Sequence, residues 1–423
     1  MEKNLYDEYL NILNDELIPA MGCTEPIAVA YAGALARKTL GCIPDTVVLT
    51  VSGSIIKNVK SVVVPNTGGR VGLRIAVSAG IVAGDSDAEL EVISQVTPEA
   101  LEEVDDFEKN KEIIIKKSNA KCSFDIQVLL KAGDEESYVR IIGQHTNVVL
   151  IKKNNTVIFG KEFEDEAVPA PENRKLLSVE KIVEFANEVD INDVKEVIGR
   201  QISYNMAIAK AGLKEHYGAN IGKILLESYG DGVHNRAKAY AAAGSDARMN
   251  GCELPVIINS GSGNQGITTS VPVIIYSKCM DYSEEELYRA LVVSNLITIH
   301  LKTGIGSLSA YCGATSAGAG AAAGICYLNG GRNKDIAHTV VNTIAINSGM
   351  ICDGAKASCA AKIASAIEAG FLGLNMYRNQ SQFTGGDGIV AKGVENTIEA
   401  VGKLARDGMK ETDIEIIKLM LDN

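Results

Sequence analysis

Residues 313–325 read GATSAGAGAAAGI, a run with almost no side-chain bulk. It constrains the fold more than any other stretch. Glycine lowers intrinsic helicity by up to about 1 kcal/mol per position relative to alanine, so tertiary packing must hold such a segment. In a membrane the run would suggest close helix contact; in a soluble chain it predicts a buried central helix. The composition agrees, with 46% hydrophobic residues, only 5% aromatic residues, no Trp and 41 Gly, so small residues do much of the packing. At 423 residues the chain exceeds one compact core, and two domains are expected.

The charge balance excludes some partners. Net charge is −12, and there is no Lys/Arg cluster of the kind a nucleic-acid binder shows. Met1–Leu17 is charged and amphipathic, without the basic and apolar regions of a secretory signal. Apolar stretches are broken by polar residues, and none offers about 20 lipid-facing positions. The expectation is a cytoplasmic protein with no nucleic-acid and no membrane partner; a homodimer is compatible. Nine cysteines, irregularly spaced, fit a reducing compartment and argue against a disulfide framework.

Periodicity predicts an α+β first domain, residues 1–168, and a mostly α-helical, Ala/Gly-rich second domain, residues 169–423. Asn4–Leu17 reads as a helix, and Ile27–Leu40 as another with Thr24 as its cap and Pro26 in its first turn. Cys23 then sits at or just before a helix start, where unpaired N–H groups and the dipole favour a thiolate. Thr46–Val64 reads as strands and Val71–Ala83 as a helix. Strand patterns recur from Lys111 to Lys161, with Asn154-Asn155 as a hairpin turn. Glu162–Arg174, acidic and bearing Pro169 and Pro171, reads as a linker. Beyond it come helices at Ser178–Val189, Val194–Ala211 and Ile221–Leu226. Another runs over Ser283–His300, opened by a Ser283/Glu286 capping box.

Gly261-Ser262-Gly263-Asn264-Gln265-Gly266 matches a dinucleotide-binding fingerprint, with Asp281 in place for a ribose. The match fails on length. Only fourteen residues separate Gly266 from Asp281, too few for a helix, a turn and a strand, and Pro272 is expected to interrupt a helix there. No NAD site is therefore expected. Two readings remain: a plain glycine-rich turn, or an active-site loop whose backbone N–H groups grip a carboxylate.

In Gly349-Met350-Ile351-Cys352-Asp353-Gly354-Ala355-Lys356-Ala357-Ser358-Cys359, two cysteines lie seven apart. An unbroken helix would set them about 10.5 Å apart along its axis. Asp353-Gly354 is a turn signal that would fold Cys352 back. Spacing alone leaves core packing open, since free cysteine is among the most buried residue types. Cys42, Cys122, Cys252, Cys279 and Cys326 read as ordinary thiols. No CxxC, HxxxH or HExxH pair points to a structural zinc site.

The strings PAMGCTEP (19–26), NSGSGNQG (259–266), YCGATSAGAGAAAGI (311–325) and GMICDGAKASC (349–359) add what spacing cannot. Along nearly its whole length the chain resembles the L-cysteine desulfidase family, relatives of the iron–sulfur L-serine dehydratases. The resemblance implies a 4Fe–4S cluster held by Cys312, Cys352 and Cys359, with one iron left open as a Lewis acid. It implies that Cys23 is either the base for the α-proton or an exchangeable fourth ligand. Elimination from L-cysteine would give pyruvate, ammonia and sulfide, with no pyridoxal phosphate. The related dehydratases carry Ser-Ser-His-Thr where this chain has Gly22-Cys23-Thr24-Glu25, and can end in a cysteine-bearing tail where it has Leu-Met-Leu-Asp-Asn. Both departures favour the desulfidase.

Thr24, Ser262 and Asn264 are candidates for holding a small amino-acid substrate. So is Lys302, although its plainer reading is a solvated surface charge. His145, expected at a strand boundary, is a further candidate, although a lone His is more often structural. Alternatives are an L-serine or L-threonine ammonia-lyase with the same cluster, and a non-catalytic iron–sulfur redox sensor.

Overall fold

The computed structural model describes residues 1–163, 171–306, 308–386 and 388–422. The chain opens with α1 (Lys3–Glu16), β1 (Pro19–Met21), α2 (Thr24–Leu40), β2 (Thr46–Val51), α3 (Gly53–Val59), α4 (Leu73–Ala83) and α5 (Pro98–Asn110). The strands β3 (Glu112–Lys117), β4 (Asp125–Ala132), β5 (Glu135–Ile142), β6 (Val148–Lys153) and β7 (Thr156–Gly160) follow. Six strands form one mixed sheet in the order β3-β2-β4-β5-β6-β7, with β2 and β3 parallel and the other pairs antiparallel. α2 packs on this sheet and is buried along most of its length. The hairpin turn at Asn154-Asn155 is present.

The second region is helical: α6 (Val179–Glu188), α7 (Ile191–Lys214), α8 (Ile221–Tyr229) and α9 (Val233–Met249) precede the short strand β8 (Pro255–Ile257). Then come α10 (Gly263–Cys279), α11 (Glu284–Ile305), α12 (Gly313–Leu328), α13 (Asn333–Ile346), α14 (Ser358–Arg378), α15 (Val394–Lys403) and α16 (Lys410–Asp422). The Ala/Gly run forms α12, which is buried and packed by α10, α11, α13 and α14. Its glycines are what permit this. A methyl group on Gly320 would stand 2.0 Å from Thr298 Oγ1 and 2.6 Å from the Ser294 carbonyl of α11. The Ser283/Glu286 capping box opens α11 as expected.

Two expectations are overturned. Thr46–Val64 is not strand throughout: Ser52 accepts from the Ile55 amide and starts α3, whose β-branched Ile55, Ile56 and Val59 imitate a strand pattern. Pro272 does not break its helix but lies inside α10. The Ser294 hydroxyl of α11 donates to the Thr269 carbonyl at 2.7 Å, so the loosened turn is bonded by a neighbour. The expected domain boundary at 168/169, and most of the expected linker, fall outside the described residues. Past them, Glu172–Leu176 is a 3₁₀ turn, and its buried Arg174 pairs with Glu16 at 3.0 Å.

The two regions are laced together at both chain ends. β1 pairs antiparallel with β8, and α1 packs on α7 and α11. α16 returns to α3, where the buried Lys57 pairs with Asp413. Both crossings border the site.

Candidate active site

The cysteine pair is built by backbone. An isolated antiparallel bridge joins Tyr311 to Ile351. The Cys312 amide donates to the Met350 carbonyl (3.1 Å) and the Cys352 amide to the Ala310 carbonyl (2.7 Å). Their thiols lie close enough to shift each other's ionisation although 40 positions separate them. Residues 352–357 are not helical, as the turn signal implied. Gly354 turns at φ +98°, and a methyl group there would stand 2.3 Å from the Lys57 carbonyl. The turn leads to α14, whose first turn carries Cys359 within electrostatic reach of both other thiols. Among the described residues, no three Cys, His, Asp or Glu side chains crowd closely enough to share one metal ion.

Lysines surround the pair. The Lys57 ammonium, 1% exposed, donates to the Cys352 carbonyl at 3.4 Å. Lys362 donates to the Ile351 carbonyl at 2.9 Å and pairs with Asp353. Lys302 is not a surface charge: it is buried, donates to the Gly306 carbonyl, and among the described residues has no carboxylate at ion-pair distance. Burial lowers its pKa to about 8, against the pull of Cys352 and Cys312. The neighbouring Cys312 thiol, helped by Lys57 and opposed by burial, holds Cys352 at about 6, while Cys312 is pushed up.

The other face comes from the first region. Cys23 is the N-cap of α2 and packs with Val62, Met249, Ala355 and Cys359. Its thiol donates to Glu25 Oε2 at 3.0 Å. Thr24 is the first helical residue rather than the cap; its hydroxyl donates to the Gly261 carbonyl at 3.0 Å and to Glu25 Oε2 at 3.2 Å. His145, in the turn between β5 and β6, sets Nε2 3.9 Å from Glu25 Oε1, with its ring edge-on to Phe124 and beside Gly261. Burial opposes ionisation of Glu25, but His145, the Cys23 thiol and Arg248 outweigh it and bring the carboxyl to about 2. The thiolate expected at Cys23 is corrected. Burial first, then the Glu25 charge, raises Cys23 well above the usual thiol value, so it rests as a thiol.

The glycine loop closes the site. Ser260 and Gly261 both have positive φ, and Ser262 is the N-cap of α10, although its side chain makes no capping bond. A methyl group on Gly266 would stand 2.0 Å from the Ile257 carbonyl, so α10 lies directly on β8. Cys279 is followed by a turn and α11, so the second strand of a dinucleotide unit is absent. Gln265 lies against Gly313 at the start of α12. The side-chain oxygens of Asn264 and Gln265, and Arg248 Nε, are buried without hydrogen-bond partners. Four helices, α2, α10, α12 and α14, thus begin around one small volume and turn their positive dipole ends towards it.

Sequence reasoning singled out neither Glu25 nor Arg248 nor Gln265 as a functional group. The available signal was a charged residue closing a run of small ones, AYAAAGSDAR (239–248).

Comparison with known proteins shows which proteins the chain is similar to. A family model described as serine dehydratase alpha chain matches residues 87–418. A UPF0597 protein of Desulfitobacterium hafniense is 57% identical over 99% of this chain and 97% of its own. A UPF0597 protein of Lachnoclostridium phytofermentans is 49% identical over 99% of this chain and 100% of its own. One from Treponema denticola is 45% identical over 100% of this chain and 99% of its own.

Proposed function

The chain belongs to the serine dehydratase alpha-chain family, and from that premise we propose that it is an L-cysteine desulfidase, a lyase releasing sulfide from L-cysteine to leave pyruvate and ammonia. The observation that carries the reading is the apposition of two unlike faces. One offers the thiols Cys312, Cys352 and Cys359; the other offers Cys23 hydrogen-bonded to an ionised Glu25.

The donor set fits a 4Fe–4S cluster. All three donors are thiols, and each thiolate of a cubane takes its own iron, so they need not converge on one ion. Lys57, Lys302 and Lys362 offset the charge of deprotonated sulfur, and Lys302 has no carboxylate partner among the described residues to do so instead. Bound on Cys312, Cys352 and Cys359, such a cluster would supply a Lewis acid for a soft thiolate leaving group.

The chain's own residues then handle the proton. Cys23 rests protonated and Glu25 deprotonated, 3.0 Å apart. As Cys23 Sγ takes the α-proton, its own proton passes to Glu25 Oε2. His145 Nε2 stands 3.9 Å from the other carboxylate oxygen, and Thr24 ties the pair to the glycine loop. Burial of Cys23 keeps water from the proton path.

The experiment is anaerobic reconstitution followed by L-cysteine, L-serine and L-threonine, with sulfide and pyruvate read out. Release of both products from L-cysteine supports the reading; a cluster-loaded protein that leaves L-cysteine intact ends it. The family description favours a second reading, an L-serine or L-threonine ammonia-lyase on the same residues, which predicts pyruvate or 2-oxobutyrate without sulfide.

A further inference from the structure

We propose that Arg248, in the last turn of α9 and lying against the start of α10, binds the α-carboxylate of an amino-acid zwitterion whose ammonium is taken by Asn264 and Gln265. The inference deepens the lyase reading and rests on it for the reaction, but it stands on different residues.

Arg248 is the anomaly. It is 2% exposed, its guanidinium makes no hydrogen bond or ion pair among the described residues, and Nε is sealed from solvent. A buried guanidinium is costly unless an anion meets it. Glu25 is within electrostatic reach but accepts from Cys23 and Thr24 and has His145 Nε2 3.9 Å from its other oxygen. The guanidinium lies instead against Gly263, the first residue of α10: a β-carbon there would stand 2.2 Å from Nε and 2.7 Å from Cζ. That position joins a planar fork of donors to the free amides of a helix start, which together suit a carboxylate.

The ligand is more than an anion. One and two positions further along α10, Asn264 Oδ1 and Gln265 Oε1 are buried acceptors without donors. Unpaired acceptors beside an unpaired cation match a molecule carrying carboxylate and ammonium on one carbon. Arg248 also acts electrostatically on Cys23 and on Cys359, so a carboxylate held there sets the α-carbon between the two faces.

Calorimetric titration of the reconstituted protein tests this with three probes. L-Alanine has both charged groups and no leaving group; L-alaninamide lacks the carboxylate; propionate lacks the ammonium. L-Alanine is expected to bind at least about 10-fold more tightly than either of the others. Arg248→Met should weaken L-alanine about 100-fold and leave L-alaninamide unchanged, with Arg248→Lys restoring part of the loss. Gly263→Ala is the second variant, decisive if Arg248→Met does not fold: its methyl displaces the guanidinium while keeping the charge, and about a 10-fold loss is expected. Equal binding of L-alanine and L-alaninamide, no L-alanine binding, or full affinity in Gly263→Ala or a folded Arg248→Met overturns the proposal. Arg248-dependent L-alanine binding in a protein that releases no sulfide supports it while ending the desulfidase reading.

Discussion

The two faces of the site place thiols in opposite electrostatic surroundings. Cys23 is buried, and the carboxylate beside it adds to the same effect, so its proton is held tightly. Cys352 is half-buried, has the Cys312 thiol beside it and feels the field of Lys57, and it gives up its proton readily. Burial and the neighbouring groups together decide a cysteine's chemistry: at Cys23 they act in the same direction, at Cys352 they oppose each other. One face is built to carry a proton and the other to present anionic sulfur.

The largest test of that contrast is Cys352→Ser. It should abolish the cluster's visible absorbance after anaerobic reconstitution and reduce turnover to background. Retained absorbance would mean that Cys352 is not a ligand and that the two faces do not differ as described. Cys23→Ala should keep the absorbance while turnover falls by about 10²-fold or more, the scale of a lost general base. Loss of the cluster in that variant would make both faces metal-binding and erase the contrast.

Glu25→Gln separates charge from shape. Turnover should fall about 10-fold or more, because the acceptor for the Cys23 proton is gone. The pH dependence has a definite sign. The folded pKa, about 2, lies below the ordinary 4.5, so ionised Glu25 stabilises the fold above pH 4.5 and loses that contribution as pH falls towards 2. Denaturant titrations between pH 6 and 2.5 should show wild type losing on the order of 3 kcal/mol more than Glu25→Gln. Parallel curves would place the charge elsewhere.

Lys302 tests the other face with the opposite sign. Its folded pKa is about 8 against an ordinary 10.5, so between those values the unfolded chain binds the extra proton and stability rises with pH. Lys302→Met should flatten that slope and stabilise the cluster-free protein at pH 7 by about 1–3 kcal/mol, while weakening cluster retention. A variant that gains stability in both states would show that the lysine does not serve the sulfurs. The smallest effect belongs to a control remote from both faces. Ser283→Ala removes the α11 cap and should cost about 1 kcal/mol in denaturant titration with unchanged kinetics.

Much of the fold was legible because local chemistry announced it. The Ser283/Glu286 box, the Asn154-Asn155 turn and the bulk-free run of α12 carry their reasons within a few residues. Gly53–Val59 was misread because β-branched residues in a short helix look like strand, and only the Ser52 cap distinguishes them. Pro272 was misread because the group bonding its loosened turn, Ser294, is supplied by another helix. At the site, the cysteines were legible through motif strings and His145 only as a guess. Glu25 lay inside a quoted string, but its meaning depends on His145, 120 positions away. Arg248 was invisible because an arginine at a helix end is ordinary until its partners are found missing.

The β1–β8 pairing has a consequence for how the protein is born. Ala20 pairs with Val256, 236 positions later. At about 5–20 residues per second, the ribosome delivers that partner roughly 10–50 s after the first strand emerges. Until then the segment leading into Cys23 lacks its strand partner, and the four helix starts cannot meet. The nascent chain is thereby catalytically silent through more than half of its synthesis, and a fragment ending after β7 would carry Cys23, Glu25 and His145 without a site to put them in.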